Sequence, residues 1–410
     1  MKTSWVLAIA MVLAGCNNGS DGSDGGSGGG SGGGGAGGGA PALGFQPSNV
    51  DLSAHDFSTL ADVDVTGDCS VFSDQQPDGT ICGSPTVDWL GTQSDGSRIH
   101  VYAVKSFTLE QTAKLTLGGA FAIAIVSFGD LKINGPLVAS ARTSTPGPGG
   151  FAQIPSFTKG AGPGGGPAGV ADAMGPPPGT NYLAGIAGGG ASACGVGGKG
   201  AAEGDTAGPV TVMPLAAPAA YGTADLRPIV GGSSGGVGGL GAAGAGGGAV
   251  QLVAAGALSI GTLGSITVGG GGGVSAGLTN GQQESSGGGS GGSVLLEANT
   301  VSITGVVAAN GGGGGGYTTS GSDATVDANS APGGTDNNSP LGGAGGAGAS
   351  VDGVAGLTGA NSAAGAGGGA AGRIRINSHT GAATISGTLS PGATTACVTQ
   401  GMLRATGSGM

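Results

Sequence analysis

The feature that most limits how this chain can fold is an apolar phrase that recurs five times against a background of glycine. Arg98–Gly119 (RIHVYAVKSFTLEQTAKLTLGG) and Ala120–Ala141 (AFAIAIVSFGDLKINGPLVASA) are each 22 residues long. They align without gaps, Ile99 with Phe121, Val101 with Ile123, Ala103 with Ile125 and Leu109 with Leu131. The phrase returns at Ala249–Ala254 with Leu258–Ile260 and Ile266–Val268, and at Val294–Ala298 with Val301–Ile303 and Val306–Ala308. It returns once more at Arg373–Ile376 with Thr384–Ile385 and Thr388–Leu389. In each copy, apolar residues alternate with small or polar ones over three short runs, the period of a half-buried strand. One such unit cannot bury its inward Val, Ile and Leu. Stacked units can, because each strand pairs with its equivalent above and below. The repeat therefore predicts an all-β chain whose core, over 98–410, is a right-handed parallel β-helix.

Between the later phrases lie glycine-rich insertions near 142–248, 269–292 and 310–371. Glycine supplies 102 of 410 residues, about a quarter where ~7% is ordinary. The absence of a strict Gly-X-Y period argues against collagen. Connections of this length usually argue against the elements they join, but repeat folds gather their insertions on one side. Runs such as Gly311–Gly316 have no side chains to bury. Either they are mobile, or they pack as extended segments at a separation that only glycine permits. Short apolar marks such as Tyr182-Leu183 and Ile229-Val230 favour partial order. Residues 41–97 differ in composition, with clustered Asp and alternating pieces such as Val63-Asp64-Val65, and read as a small β-rich N-terminal cap.

The N-terminus reads as an export signal. Lys2 is the basic start, Trp5–Leu13 the apolar run, and Leu13-Ala14-Gly15-Cys16 places small residues before a cysteine. That run is too short for a permanent membrane span. The pattern resembles a lipobox, which implies cleavage after residue 15, acylation of Cys16 and a lasting lipid anchor. Residues 16–40 are a Gly/Ser spacer of flexible-linker composition. The partner implied is therefore a membrane, reached through Cys16, and the location is the cell envelope, at an outer membrane facing the exterior or the periplasm.

The chain carries 12 basic and 23 acidic side chains, and loss of Lys2 with the signal leaves a net charge near −12. With no basic block, nucleic acid is excluded as a partner. Four cysteines follow Cys16. An even count in an exported chain favours two disulfides. Cys69 and Cys82 bracket a turn-rich segment and pair with each other, and Cys194 with Cys397 follows by elimination.

Candidate chemistry is sparse. The histidines His55, His100 and His379 share no metal-ligand spacing, and Gly198-Lys199-Gly200 fails the phosphate-loop pattern. No metal and no cofactor is expected. Asp62, Asp64 and Asp68 resemble the opening of a calcium loop, but Ser73 stands where the bidentate acid belongs. The competing reading is a strand with Val63 and Val65 inward and the acids outward. Arg373 and Arg375 alternate with Ile374 and Ile376, with Glu297 placed for a neighbouring face. They are a candidate ligand face, or a charged edge that discourages strand addition. No catalytic residue is assigned.

Taken together, LAGC, the Gly/Ser spacer, AIAIVSFGDLKINGPLVA, GGSVLLEANTVSITGVVAANGGGGG and GRIRIN resemble large Gly-rich lipoproteins of gliding Gram-negative bacteria. The resemblance covers most of the mature chain and implies location and fold, with no catalytic residue to carry over. The expected function is a non-catalytic structural or adhesive role at the cell surface, with polysaccharide or surface proteins as partners. The alternative is a carbohydrate-active enzyme, a polysaccharide lyase or hydrolase, built on a β-helix.

Overall fold

Each recurring phrase forms strands, because its branched residues suit an extended, pleated backbone buried on its inner face. The computed structural model describes residues 42–75, 77–153, 155–171, 185–203, 216–239, 242–277, 284–359 and 363–406. The residues read above as an export signal, acylation site Cys16 and spacer lie outside the described residues. Among the described residues there is no helix. The chain is all-β, dominated by two parallel sheets.

The strands stack in tiers. In the larger sheet, Ile123 lies beside Val250, Val250 beside Val294, Val294 beside Ile374 and Ile374 beside Val398. Two residues along, Tyr102, Ile125, Leu252, Leu296 and Ile376 form a second ladder. Beyond a bend, Val65, Leu109, Ile133, Ile260, Ile303 and Ile385 form a third. The smaller sheet contributes Leu115, Leu137, Ile266, Val307 and Leu389. These ladders belong to one continuous buried cluster, with Ile385 packed at its margin. The segment expected as a cap supplies a tier of the same sheets, since Asp62–Val65 and Cys69–Phe72 pair in parallel with Ser106–Leu109 and Leu115–Gly118. Val87–Thr92 then runs antiparallel beside Arg98–Val104.

The gapless 22-residue alignment is corrected by the structure. Ile99 pairs with Ala122, and Val101 with Ala124. His100 and Tyr102, which that alignment passes over, pair with Ile123 and Ile125. Farther on, Leu109 pairs with Ile133 rather than Leu131. Only the third strand keeps the expected offset, Leu115 beside Leu137. A one-residue slip exchanges the two faces of a strand, and here both faces are apolar. The outer face of the larger sheet is covered by Leu43, Phe45, Val50, Leu226 and Ile229, which pack on Ile99, Val101, Ala124, Val253 and Leu295. Alternation alone cannot then tell which parity points inward.

The described parts of the glycine-rich insertions are extended segments packed side by side. Along 284–292, Gly287 N–H donates to Gly236 O, Gly288 to Gly367 O and Gly289 to Gly271 O. Three residues on, Ser290 donates to Ser233 O, Gly291 to Ala370 O and Gly292 to Val268 O, returning to the same three neighbours in order. The carbonyls of Gly287, Gly288 and Gly289 accept from Gly244, Ala191 and Gly312, three further segments. A three-residue turn with no internal hydrogen bonds is polyproline-II geometry. Packed this way, the 284–292 segment has six neighbours, three accepting from its N–H groups and three donating to its carbonyls. Glycine serves close approach here. Gly287, Gly289 and Gly292 are outside the left-handed φ region, yet an added Cβ would fall against Gly189 O, Ala245 O and Gly248 O respectively.

Candidate functional site

Where the glycine segments meet the first two tiers, the surface opens into a groove of about 860 Å³. Three rings line it: Phe72 at the end of its strand, Phe121 at the entry to the next tier, and Phe151 in the first insertion. Phe72 is 44% exposed, a large apolar face left to solvent. Asp74 follows Phe72, and Asp95 and Arg98 come from the turn joining Val87–Thr92 to Arg98–Val104. Three of the chain's eight phenylalanines therefore serve one groove.

A buried network fixes Phe121. The Ser73 hydroxyl accepts from Phe121 N–H at 2.9 Å and donates to Phe121 O at 2.7 Å. Ser73 O in turn lies 3.1 Å from His100 Nδ1, and His100 Nε2 lies 3.2 Å from Asp88 Oδ2. Asp88 Oδ1 accepts from Gly79 N–H at 2.8 Å. The His100 ring stacks on Tyr102, centroids 4.5 Å apart, and burial, followed by the charges of Asp88 and Asp78, pushes the Tyr102 hydroxyl well above its usual range. The groove wall is equally constrained. Gly119 has φ +101°, and a Cβ there would sit 2.6 Å from Ser73 Oγ and 2.7 Å from Asp74 Oδ1. Gly149 has φ +69°, with Ala122 N 2.7 Å from where its Cβ would be. Both positions demand glycine on conformation and on space.

The residues singled out in the sequence fall elsewhere. Cys69–Cys82 and Cys194–Cys397 are disulfides, with Cα separations of 5.7 and 5.6 Å. Asp62–Val65 takes the strand reading, with Val63 and Val65 inward and the acids outward. Asp62 accepts from Lys105 Nζ at 2.8 Å and Ser106 Oγ at 2.6 Å, which holds its carboxyl below the usual range, Lys105 first among the causes. Asp68 accepts from Lys114 N–H at 2.9 Å, and Asp64 points outward from the strand that buries Val63 and Val65. The three acids do not converge, and no cluster of three metal-ligating side chains occurs among the described residues.

Arg373 and Arg375 do not form a free ligand face, nor do they stand on a final edge. Arg373 Nε and Nη2 donate to Tyr221 O at 3.1 and 3.0 Å, and Arg375 Nε donates to Asn377 Oδ1 at 2.7 Å. A further strand, Val398–Met402, pairs with theirs. Glu297 is fully buried on the outer face. Its carboxylate accepts from Ser48 N–H (3.0 Å), Ser48 Oγ (2.7 Å), Gln251 Nε2 (2.7 Å) and Asn377 Nδ2 (3.0 Å). It clamps the N-terminal segment to the sheet.

Sequence reasoning passed over Phe72, Phe121, Phe151, Ser73, Asp88 and His100 as a group. The available signal was scarcity: aromatic residues are 3% of the chain, so rings flanking small residues outside the repeat stood out. A second cleft of about 450 Å³ lies beside Trp89, whose ring stacks on His55 at 3.9 Å. No family model matches the chain, and neither does any curated protein or solved structure.

Proposed function

We propose that this chain is a lipid-anchored cell-envelope protein with a structural or adhesive role, without catalysis. In this reading acylated Cys16 holds it at an outer membrane and residues 16–40 act as a spacer. The stacked tiers form a right-handed parallel β-helix, a stiff body for surface display. The observation that carries the reading is the six-neighbour glycine lattice. It gives a large part of the chain to backbone-only packing, which supplies rigidity and offers few side chains for chemistry. The carbohydrate-active alternative drew on Arg373 and Arg375, and their engagement with Tyr221 O and Asn377 gives it no support.

Two measurements test the proposal. Protease applied to intact cells should cleave the chain, and cells lacking it should attach less well to surfaces than their parents. Protection from protease in intact cells, with unchanged attachment, would refute the role.

A further inference from the structure

We propose that the groove over Phe72, Phe121 and Phe151 binds an uncharged polysaccharide chain, its sugar rings laid on the phenylalanines and its hydroxyls bonded by Asp74 and Asp95. This names a ligand for the adhesive role proposed above and rests on that reading for its biological setting.

The walls suit a saccharide. A pyranose ring presents a flat C–H face and an edge of hydroxyls, so it needs apolar planes with a few acceptors at the rim. The groove supplies three rings, and Pro146 and Ile229 also line it. Asp95 Oδ1 already accepts from Ser97 N–H and Oγ, at 2.9 and 2.6 Å, leaving Oδ2 for a ligand. A carboxylate can accept from two adjacent hydroxyls at once. The volume, about 860 Å³, lies in the range of small-molecule clefts, roughly 300–1,000 Å³.

Charge disfavours an acidic polymer. Asp74, Asp95 and Arg98 line the groove. An acidic polymer would set its charges against two carboxylates, a penalty on binding that an uncharged one escapes. The site is also formed before any ligand arrives. Ser73 holds Phe121 through both backbone groups, His100 and Asp88 hold Ser73, and Gly119 and Gly149 fix the wall. Preorganisation of this kind raises affinity by removing ordering costs. Leaving Phe72 bare is unfavourable in the free protein, and a sugar face would cover it.

The test uses the full-length chain in detergent micelles, run through gels containing neutral glucan, mannan or xylan, or acidic alginate or polygalacturonate, or basic chitosan. Retardation by at least one neutral polymer is expected. Phe72→Ala removes an exposed ring without touching the core and should weaken binding about tenfold or more. Asp74→Asn should weaken it too, and Leu357→Ala, which shortens an exposed side chain outside the groove, should not. Unchanged urea midpoints show that each variant folds. The proposal is overturned if no neutral polymer retards the protein, if only charged polymers do, or if Phe72→Ala binds like the parent. Failure here is separable from failure of the surface role. If deleting the chain abolishes attachment and Phe72→Ala restores it fully, the groove is refuted and the surface role stands. If deletion leaves attachment unchanged and the chain is protected from protease in intact cells, while Phe72→Ala abolishes retardation, the groove stands and the surface role falls.

Discussion

Replacing Gly289 with alanine adds one methyl group at the centre of the glycine lattice, and its cost follows from the hydrogen bonds around it. The new Cβ would fall against Ala245 O and within 2.8 Å of Gly244 O. Relieving that contact moves a neighbouring segment by roughly 1.5 Å, since non-bonded carbon contacts settle near 3.5 Å. Three bonds depend on the present spacing: Gly289 N–H to Gly271 O at 2.9 Å, Gly312 N–H to Gly289 O at 2.9 Å, and Gly271 N–H to Ala245 O at 2.8 Å. Each is worth about 1 kcal/mol net and up to about 3 kcal/mol if its groups stay buried and unpaired. Reduced freedom of the unfolded chain returns only about 0.4–1 kcal/mol. The expected loss is roughly 2–5 kcal/mol, a large part of a total stability near 5–15 kcal/mol. Gly67→Ala is the matched control, because no atom lies within 4 Å of its added Cβ and its φ is ordinary. Urea unfolding with both disulfides oxidised should show a clearly lower midpoint for Gly289→Ala and an unchanged or slightly higher one for Gly67→Ala. Equal midpoints would mean that the glycines are not selected for close packing, and the lattice argument would be wrong.

Glu297→Ala leaves donors of Ser48, Gln251 and Asn377 facing a void; about 3 kcal/mol of stability should be lost, with protease cutting first within residues 43–50. Opening Cys194–Cys397 by Cys194→Ser frees a 203-residue separation, for which chain entropy predicts a loss of about 5 kcal/mol, read as a lower thermal midpoint. The carboxyls of Asp51, Asp56 and Asp62 are held below their ordinary 3.8, by the N–H groups of Ser53 and Ser58 and by Lys105 respectively. A lowered folded value means the stabilisation is complete above 3.8 and disappears as pH falls through the lowered values. Asp62→Asn should accordingly make the drop in urea midpoint between pH 7 and pH 3 shallower, and an unchanged drop would remove Asp62 from the account.

How much of this was legible in the sequence depended on whether side chains carried the pattern. The strands were legible because Val, Ile and Leu alternate, and both cysteine pairs because the four cysteines after Cys16 allow only three pairings. Register was not, because Ile99 and Val101 are buried outward as completely as Ile123 and Ile125 are inward. The corners hid it further, the one between the first two strands being a single residue in one tier (Lys105) and three in the next (Phe128–Asp130). The lattice left one trace, at its surface. Val354 and Leu357 are 53% and 55% exposed, three residues apart, with Val351 a further three before, which is the polyproline period written in side chains. The groove was illegible for a different reason. Ser73, Asp88, His100 and Phe121 meet only because the tiers stack, and no spacing along the chain announces that.

The two packing schemes depend on each other. Glycine loses more backbone freedom on ordering than any other residue, so extended glycine segments have little tendency to align by themselves. Here 242–248, 284–292 and 363–372 run straight into Ala249–Ile260, Ser293–Ile303 and Arg373–Ser378. The bonds continue through the junction: Ser293 N–H donates to Gly248 O at 2.9 Å and Arg373 N–H to Gly292 O at 3.0 Å, the same neighbours that the strands then keep. Burial of Val, Leu and Ile thus fixes one end of each glycine segment at the spacing and height its neighbour needs. The lattice in turn covers long connections that would otherwise leave backbone groups unpaired. Hydrophobic burial sets the positions, and hydrogen bonds between bare backbones fill the space between them. That division explains why a chain with so few charged and aromatic residues still holds the groove over Phe72, Phe121 and Phe151 in a fixed shape.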